Sequence, residues 1–452
     1  MKFALFFVLS IGWDSLFVGG KGSHQTMLPF LFLAITLLSG AAIAYFVGGA
    51  TIIGFLTLDH LRFLSGLPQR AMSQLDVFAF LAMPLFILTG ELMNRGGVTD
   101  ALIRFSLSML GRFKGGMAHV NILTSVFFAG ISGSATADAA ALGNTLVPAM
   151  ERQGYSRDYA AAITAASAII GPIIPPSIIL IFYGALLKTS VVALFAAGVV
   201  PGLLLAAVLM VMNAIIAHRQ GHPGGRGSEI PPFWGSLFAA LPALSLPVII
   251  LSGILFGFMT PAEAAGVAAL AALVVGLLHR RLTWRDIIEA LNRTIVLSGA
   301  VFIILVAVAT FGYLTSVEQV PRMLAALIDD IGLSATGYMV VLNLVFLAAG
   351  MVMDVKAAVA LLGPLLIPPA ILLGVDPVHM GILIGFNLTV GLLTPPLGGV
   401  LLILSTVVDI GYWRLARAVL PFLLVELVLL GVLIYVPAIS LTLPRYLGLM
   451  GN

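Results

Sequence analysis

Two short stretches carry the residue types that can hold an ion or a small anion inside a membrane. Residues 171–177 read GPIIPPS and residues 391–397 read GLLTPPL, each set in a long apolar run. Proline removes a backbone donor and clashes with the preceding turn, and glycine lets the chain leave helical geometry, so each run is expected to be a helix broken at mid-membrane. An exposed helix C-terminus and unwound carbonyls offer partial negative charge to a cation, while N-termini offer donors to an anion. Non-helical backbone is tolerated at that depth only where it lines a cavity or is packed in protein. Hairpin tips such as Ser132-Gly133-Ser134, within GISGSATAD at residues 130–138, are expected to close each site from the other side. Carbonyl and hydroxyl oxygens alone can hold sodium, a hard cation, so the lack of a carboxylate cluster does not count against an ion site.

Such breaks need a membrane around them, and the composition supplies it. Of 452 residues, 60% are hydrophobic and 9% charged, with a mean hydropathy of +1.14; soluble domains carry about a quarter charged residues. The apolar runs are continuous, which indicates an all-α polytopic membrane protein and not a β-barrel of alternating strands. The absence of cysteine excludes disulfides, zinc–cysteine sites and thiol catalysis. A net charge of +3 calls for no nucleic acid and fits basic cytoplasmic loops. GGKGS at 19–23 and GHPGGRGS from Gly221 lack the spacing and Gly-Lys-Ser/Thr ending of a phosphate-binding loop, which argues against direct use of ATP.

In chain order, residues 1–26 form a leader: an apolar stretch after Lys2 is interrupted by Asp14 and lacks a small-residue cleavage site. Either Met27 is the better start or the leader is the remnant of an upstream fusion. Residues 27–116 supply N-terminal scaffold helices and an interfacial arm. Within them, 28–58 exceeds the ~20 residues one span needs and is one tilted helix or two short ones. Residues 77–93 make a clearer span, and 99–112 an amphipathic helix with Arg104 and Arg112 on its wet side. Residues 117–217 form a first unit, with a helical hairpin at 117–153, a broken helix at 159–187 and a return span at 194–217. A cytoplasmic loop at 218–233 divides the halves. Residues 234–335 hold scaffold spans at 237–256 and 262–278, a short interfacial segment at 283–292 and a span at 295–315. The second unit, 336–408, has a hairpin at 336–373 and a broken helix at 380–406, and 409–452 is a last span with a tail.

The two units are repeats. A single offset of 220 (350 − 130) aligns Gly130 with Gly350, Gly143 with Gly363, Pro148 with Pro368, Gly154 with Gly374, Gly171 with Gly391 and Pro175-Pro176 with Pro395-Pro396. Arg112 and Lys114 before the first hairpin, and Arg152 and Arg157 after it, place both its ends on the cytoplasmic side and make it re-entrant. Two spans separate the central loop from the basic residues at 279–281, and acidic Glu318, Asp329 and Asp330 mark the opposite face, so the second hairpin's ends fall outside. Inverted repeats with matching discontinuous helices point to a transport site at mid-membrane.

GELMNRGG at Gly90, FAGISGSATADAAALG from Phe128, ITAASAIIGPIIPPS from Ile163 and GLLTPPLGG from Gly391 closely resemble the large membrane subunit (M, or DctM-like) of tripartite ATP-independent periplasmic (TRAP) transporters. The resemblance runs from about Met27 to near the C-terminus. It implies a sodium-driven, elevator-type importer in a bacterial inner membrane, braced by a small membrane subunit and fed by a periplasmic substrate-binding protein. The substrates it implies are organic acids such as C4-dicarboxylates and sialic acids. Carried over by motif, a first sodium site uses Ser132 with backbone of Gly171, Ile174 and Pro176. A second uses Gly350, Met353, Gly391, the Thr394 hydroxyl and Pro396.

Other polar residues have a plain role beside a functional one. Ser134 and Asp354 align in the repeat and each begins a helix, where N-capping is the plain role and site closure the alternative. Asp138 lies one turn into its helix, a place the dipole favours for a carboxylate, yet an ionisable group in a membrane is also a site candidate. Asn121 and Asn343 read as helix–helix glue. Asn387, a turn before the second break, joins Ser134, Asp138, Ser177 and Tyr183 as the substrate region. Glu91 and Arg95, one turn apart, read as a surface ion pair. Two other functions compete with this transporter. Another ion-coupled anion transporter or a channel also fits broken helices. An intramembrane aspartyl protease would pair Asp138 with Asp354, but neither has a helix-embedded Gly-x-Gly-Asp context, and no enzyme is expected.

Overall fold

The computed structural model describes residues 43–58, 60–224, 230–278 and 281–450. The leader, and the question of one helix or two at 28–58, lie largely outside them. Helices α1 (Ile43–Thr57), α2 (Leu67–Leu75), α3 (Ala82–Arg95) and α4 (Val98–Leu110) precede the first hairpin, whose arms are α5 (Gly116–Ser132) and α6 (Ala135–Arg152). The first broken helix is α7 (Arg157–Ala168) plus α8 (Ile178–Leu187), and α9 (Val191–Gln220) returns. Then follow α10 (Phe233–Leu255), α11 (Pro261–Leu278), α12 (Trp284–Val317) and α13 (Val320–Asp330). The second hairpin is α14 (Ala335–Gly350) and α15 (Val355–Leu372), the second broken helix α16 (Pro377–Gly391) and α17 (Gly399–Val407), and α18 (Tyr412–Tyr435) and α19 (Ala438–Tyr446) close the described chain. Six of these are long and apolar enough to cross a bilayer, or seven if the bent pair Leu61–Leu75 and Phe78–Arg95 is one span.

Four helix bounds fall at the offset of 220. α6 and α15 are offset by 220 at both ends (355 − 135, 372 − 152), as are the starts of α7 and α16 and the ends of α8 and α17. Ser156 and Asp376 cap α7 and α16 at matching positions. Gly154 and Gly374 turn the chain between hairpin and broken helix at φ of 94° and 89°, a left-handed region that glycine enters freely. Each hairpin's second arm lies on the other repeat's short half-helix: α6 packs on α17, with Gly143 against Leu404, and α15 packs on α8, with Gly363 near Leu186.

Buried polar side chains tie hairpin to broken helix in both units. Asn121 on α5 donates to Thr164 Oγ1 at 2.6 Å, and its Oδ1 accepts from Ser167 at 3.1 Å, both on α7. Asn387 on α16 donates to the carbonyl and Oδ1 of Asn343 on α14, each at 2.8 Å. Hydrogen bonds of this kind contribute about 1 kcal/mol in a membrane interior. The central loop docks on the start of the first hairpin, where Gly115 N–H and Tyr155 OH both donate to the Pro223 carbonyl at 3.1 Å. His222 sits 4.4 Å from the Tyr159 ring centre and 4.9 Å from that of Tyr155, and burial there pushes its imidazole pKa down.

The scaffold departs from the sequence reading in three places. The segment at 283–292 and the span at 295–315 are one helix, α12, 34 residues and about 51 Å long. The change from charged to apolar composition resembles a boundary, but no glycine or proline stands between Trp284 and Ser298 to break the ladder, and a Thr283–Asp286 capping box starts the helix. Glu91 and Arg95 are 3.9 Å apart, and each has a closer partner across on α12: Arg293 for Glu91 at 3.1 Å, Glu289 for Arg95 at 2.8 Å. The pair therefore fastens α3 to α12. The span expected at 77–93 is the second limb of the bent pair, turned by 59° where Asp76 and a short 3-10 turn, Phe78–Leu81, interrupt the helix. The amphipathic α4 buries Leu102 and Phe105 and leaves Arg104 exposed, as its pattern requires.

Candidate functional site

The first hairpin's tip meets the first break. α5 ends at Ser132, Gly133 turns the chain at φ 58°, and α6 starts after Ser134. A side chain at Gly133 would put its Cβ 2.7 Å from the Pro176 carbonyl oxygen, so only glycine allows tip and break to approach this closely. Asp138, one turn into α6, is fully buried; its Oδ1 accepts from the Ser132 hydroxyl, and its Oδ2 has no hydrogen-bond partner and abuts Gly171. Ser132 Oγ also accepts from the Ser134 amide at 3.2 Å. Among the described residues no hydrogen bond reaches the carbonyls of Gly171, Ile174 or Pro176. The Ser132 hydroxyl and the Asp138 carboxyl thus lie against Gly171 where α7 ends, and the Pro176 carbonyl lies beside the Gly133 turn.

The second hairpin's tip meets the second break backbone to backbone. A Cβ on Gly391 would lie 2.8 Å from both the Cα and the carbonyl carbon of Gly350, and Gly398 N–H donates to the Met351 carbonyl at 3.3 Å. The carbonyls of Gly350, Met353 and Pro396 accept no hydrogen bond among the described residues, while that of Gly391 accepts from Thr394 N–H at 3.0 Å. The Thr394 hydroxyl is half-buried and donates to Val390 O at 3.0 Å, which leaves its lone pairs free. Residues 171–177 are wholly buried, whereas Pro396, Leu397 and, on the facing tip, Val352 and Asp354 are exposed. The first break is sealed within the protein, and the second lies at its surface.

The residues of the expected substrate region have separate hydrogen-bond partners. Ser134 holds the N-cap position of α6 without a capping hydrogen bond, its hydroxyl 3.2 Å from that of Thr136. Asp354 does cap α15, accepting from Lys356 N–H at 2.9 Å and pairing with Lys356 Nζ at 3.2 Å. Ser177 caps α8, accepting from Leu180 N–H and donating to the Pro172 carbonyl. Tyr183 is buried against Gly381 and donates to the Pro377 carbonyl at 2.9 Å, joining α8 to α16. Asn387 spends its amide on Asn343. Asp138 instead belongs with Ser132 and Gly171, a grouping invisible in sequence because it depends on how the tip folds over the break. Asp138 and Asp354 have separate partners at separate tips and form no acid pair.

The chain matches the family model for the DctM component of tripartite ATP-independent periplasmic transporters over residues 30–439. It is similar to the sialic acid TRAP transporter large permease protein SiaM of Vibrio cholerae, 39% identical over 398 residues that cover 88% of this chain and 93% of that protein. It is also similar to the C4-dicarboxylate TRAP transporter large permease protein DctM of Pseudomonas aeruginosa, 37% identical across 89% of this chain and 94% of that one. Among solved structures, the YdaH transporter of Alcanivorax borkumensis shares its fold, with a TM-score of 0.60, 16% identity, and coverage of 91% of this chain and 98% of that one. The chain therefore belongs to the DctM family of TRAP transporter large permeases, multi-pass proteins of the bacterial inner membrane that move solutes and are not enzymes.

Proposed function

We propose that the chain is the large permease of a sodium-coupled importer of an organic acid, a C4-dicarboxylate, a sialic acid or a related carboxylate. A periplasmic binding protein delivers the acid and a small membrane subunit braces the scaffold. The observation that carries this reading is the placement of Ser132 and Asp138 against Gly171, in a break whose carbonyls at Gly171, Ile174 and Pro176 are unspent. Oxygen ligands of this kind, from carboxylate, hydroxyl and carbonyl, suit a hard cation. The second break offers the same kind of carbonyl set with Thr394. Neither break contains arginine, so the substrate carboxylate meets the N-termini of α8 and α17, hydroxyls and amides. The repeats interlock through the α6–α17 and α8–α15 contacts, and we read them as the body that moves in an elevator cycle.

Coupling is tested in proteoliposomes holding this chain, its small partner and the binding protein. Replacing sodium by potassium is expected to abolish uptake, and undiminished uptake would refute the coupling. Thr394→Ala is expected to raise the sodium concentration for half-maximal uptake about tenfold, the effect of losing one oxygen ligand worth about 1.4 kcal/mol. Thr389→Ala, whose hydroxyl is buried and bonded back to Gly385 and Phe386, is expected to change it less than about twofold. Equal sodium titrations for the two variants would remove Thr394 from the site.

A further inference from the structure

Glu426 stands in the middle of α18 with no exposed surface, and neither carboxyl oxygen has a hydrogen-bond partner. An unpaired carboxylate in such an interior would cost far more than a protein's whole stability, and the group neutralises itself by taking up a proton. No basic nitrogen among the described residues lies within ion-pair distance of it. On α7, Arg157 pairs with Glu151 and Asp158 with Arg414, each at 2.8 Å, while Tyr159 donates to Asn213. On α16, His379 Nδ1 is 2.7 Å from Ser440 Oγ, and its Nε2 is buried without a partner. On α9, His218 and Arg219 lie in the last turn. On α14, Tyr338 donates to Leu366 O. The half-helix α17 carries no titratable side chain, and Arg417 of α18 itself is exposed.

The place of Glu426 ties it to both breaks. α7 starts beside the first turns of α18, with Asp158 on Arg414 and the Tyr159 ring 6.0 Å from that of Phe422, and packs along α18 towards the first break. α16 starts at the opposite end, His379 against Ser440 of α19, and packs back along α18 towards the second break. At 1.5 Å per residue, Glu426 falls within about 10 Å in depth of both. The bound species is a proton: neither carboxyl oxygen of Glu426 has a polar partner that would help to complete a cation's shell, and Thr164 and Ser167, the buried polar side chains of α7 at that level, bond across to Asn121 of α5.

We propose that Glu426 is a proton site of the transport cycle. Its O–H stays intact while α18 is packed on α7 and α16. When transport parts these helices and admits water, the O–H breaks to give carboxylate and hydrated proton, and repacking reverses the step. The cycle in this proposal rests on the transport reading above, but the proton itself is observable without transport. Infrared spectra of the purified chain are expected to show a carboxylic-acid C=O band in wild type minus Glu426→Gln, and a shifted band in wild type minus Glu426→Asp. In vesicles, wild-type uptake is expected to change at least about threefold between about pH 5.5 and about pH 8.5, and Glu426→Gln uptake less than about 1.5-fold. Matching pH profiles, or difference spectra without an acid band, would overturn the proposal. If Glu426→Gln does not fold, the Glu426→Asp spectrum decides it. Sodium dependence of wild-type uptake in the same vesicles tests the transport reading separately.

Discussion

Alanine at Gly391 is expected to abolish sodium-dependent uptake and to lower the thermal stability of the chain. Its Cβ would stand 2.8 Å from the backbone of Gly350, and backbone cannot rotate away as a side chain can. The tip of the second hairpin must lift from the break, at a cost of about 3 kcal/mol, the upper end of the range for overpacking. Lifting also separates the carbonyls of Gly350 and Met353 from Thr394 and Pro396. Gly385, on the same helix, is the control. A Cβ there meets Leu180 at 3.4 Å, an ordinary contact, and alanine is the better helix former, so Gly385→Ala is expected to leave stability unchanged or slightly raised. Comparing melting temperatures and uptake of the two variants checks this. Equal behaviour would mean that the Gly350–Gly391 approach does not govern the second break.

The second large effect is expected at Asp138. Asp138→Asn keeps the volume but removes the charge and turns one oxygen into a donor facing Gly171. Losing a charge-assisted oxygen there costs about 1.5–3 kcal/mol of cation binding, or about 10- to 150-fold in the sodium concentration for half-maximal uptake. Ser132→Ala, which removes the neutral partner, is expected to shift it less. Because the two side chains are hydrogen-bonded, the double variant is expected to fall short of the sum of the singles. Sodium titration of uptake, with sodium-dependent melting of the purified variants as an independent readout, tests this. An Asp138→Asn titration superimposed on wild type would take the carboxylate out of the ion site.

Much of the architecture could be read from local chemistry. Gly171, Pro175 and Pro176, and their counterparts 220 positions on, break helices wherever they stand, because the missing donor and the steric clash are properties of the residues themselves. The offset recurs in helix bounds because both units obey the same capping and turn chemistry after the hairpin, Ser156 with Asp376 and Gly154 with Gly374. The continuity of α12 was misread because a change from charged to apolar composition looks like a boundary although nothing in it stops a helix. Glu426, a lone glutamate in the apolar run of the last span, is a signal in the sequence itself.

The sequence by itself determined the membrane, the repeat, the positions of both breaks and the family, since all of these follow from residue type and spacing along one chain. Only the tertiary structure decided which oxygens are spent and which are free. Ser177 caps α8, Tyr183 and Asn387 tie α8 to α16 and α16 to α14, and Asp138 stands beside Ser132 and Gly171. The physical reason is that a buried polar group must find a partner, and a partner from another helix is set by packing, which no local pattern encodes.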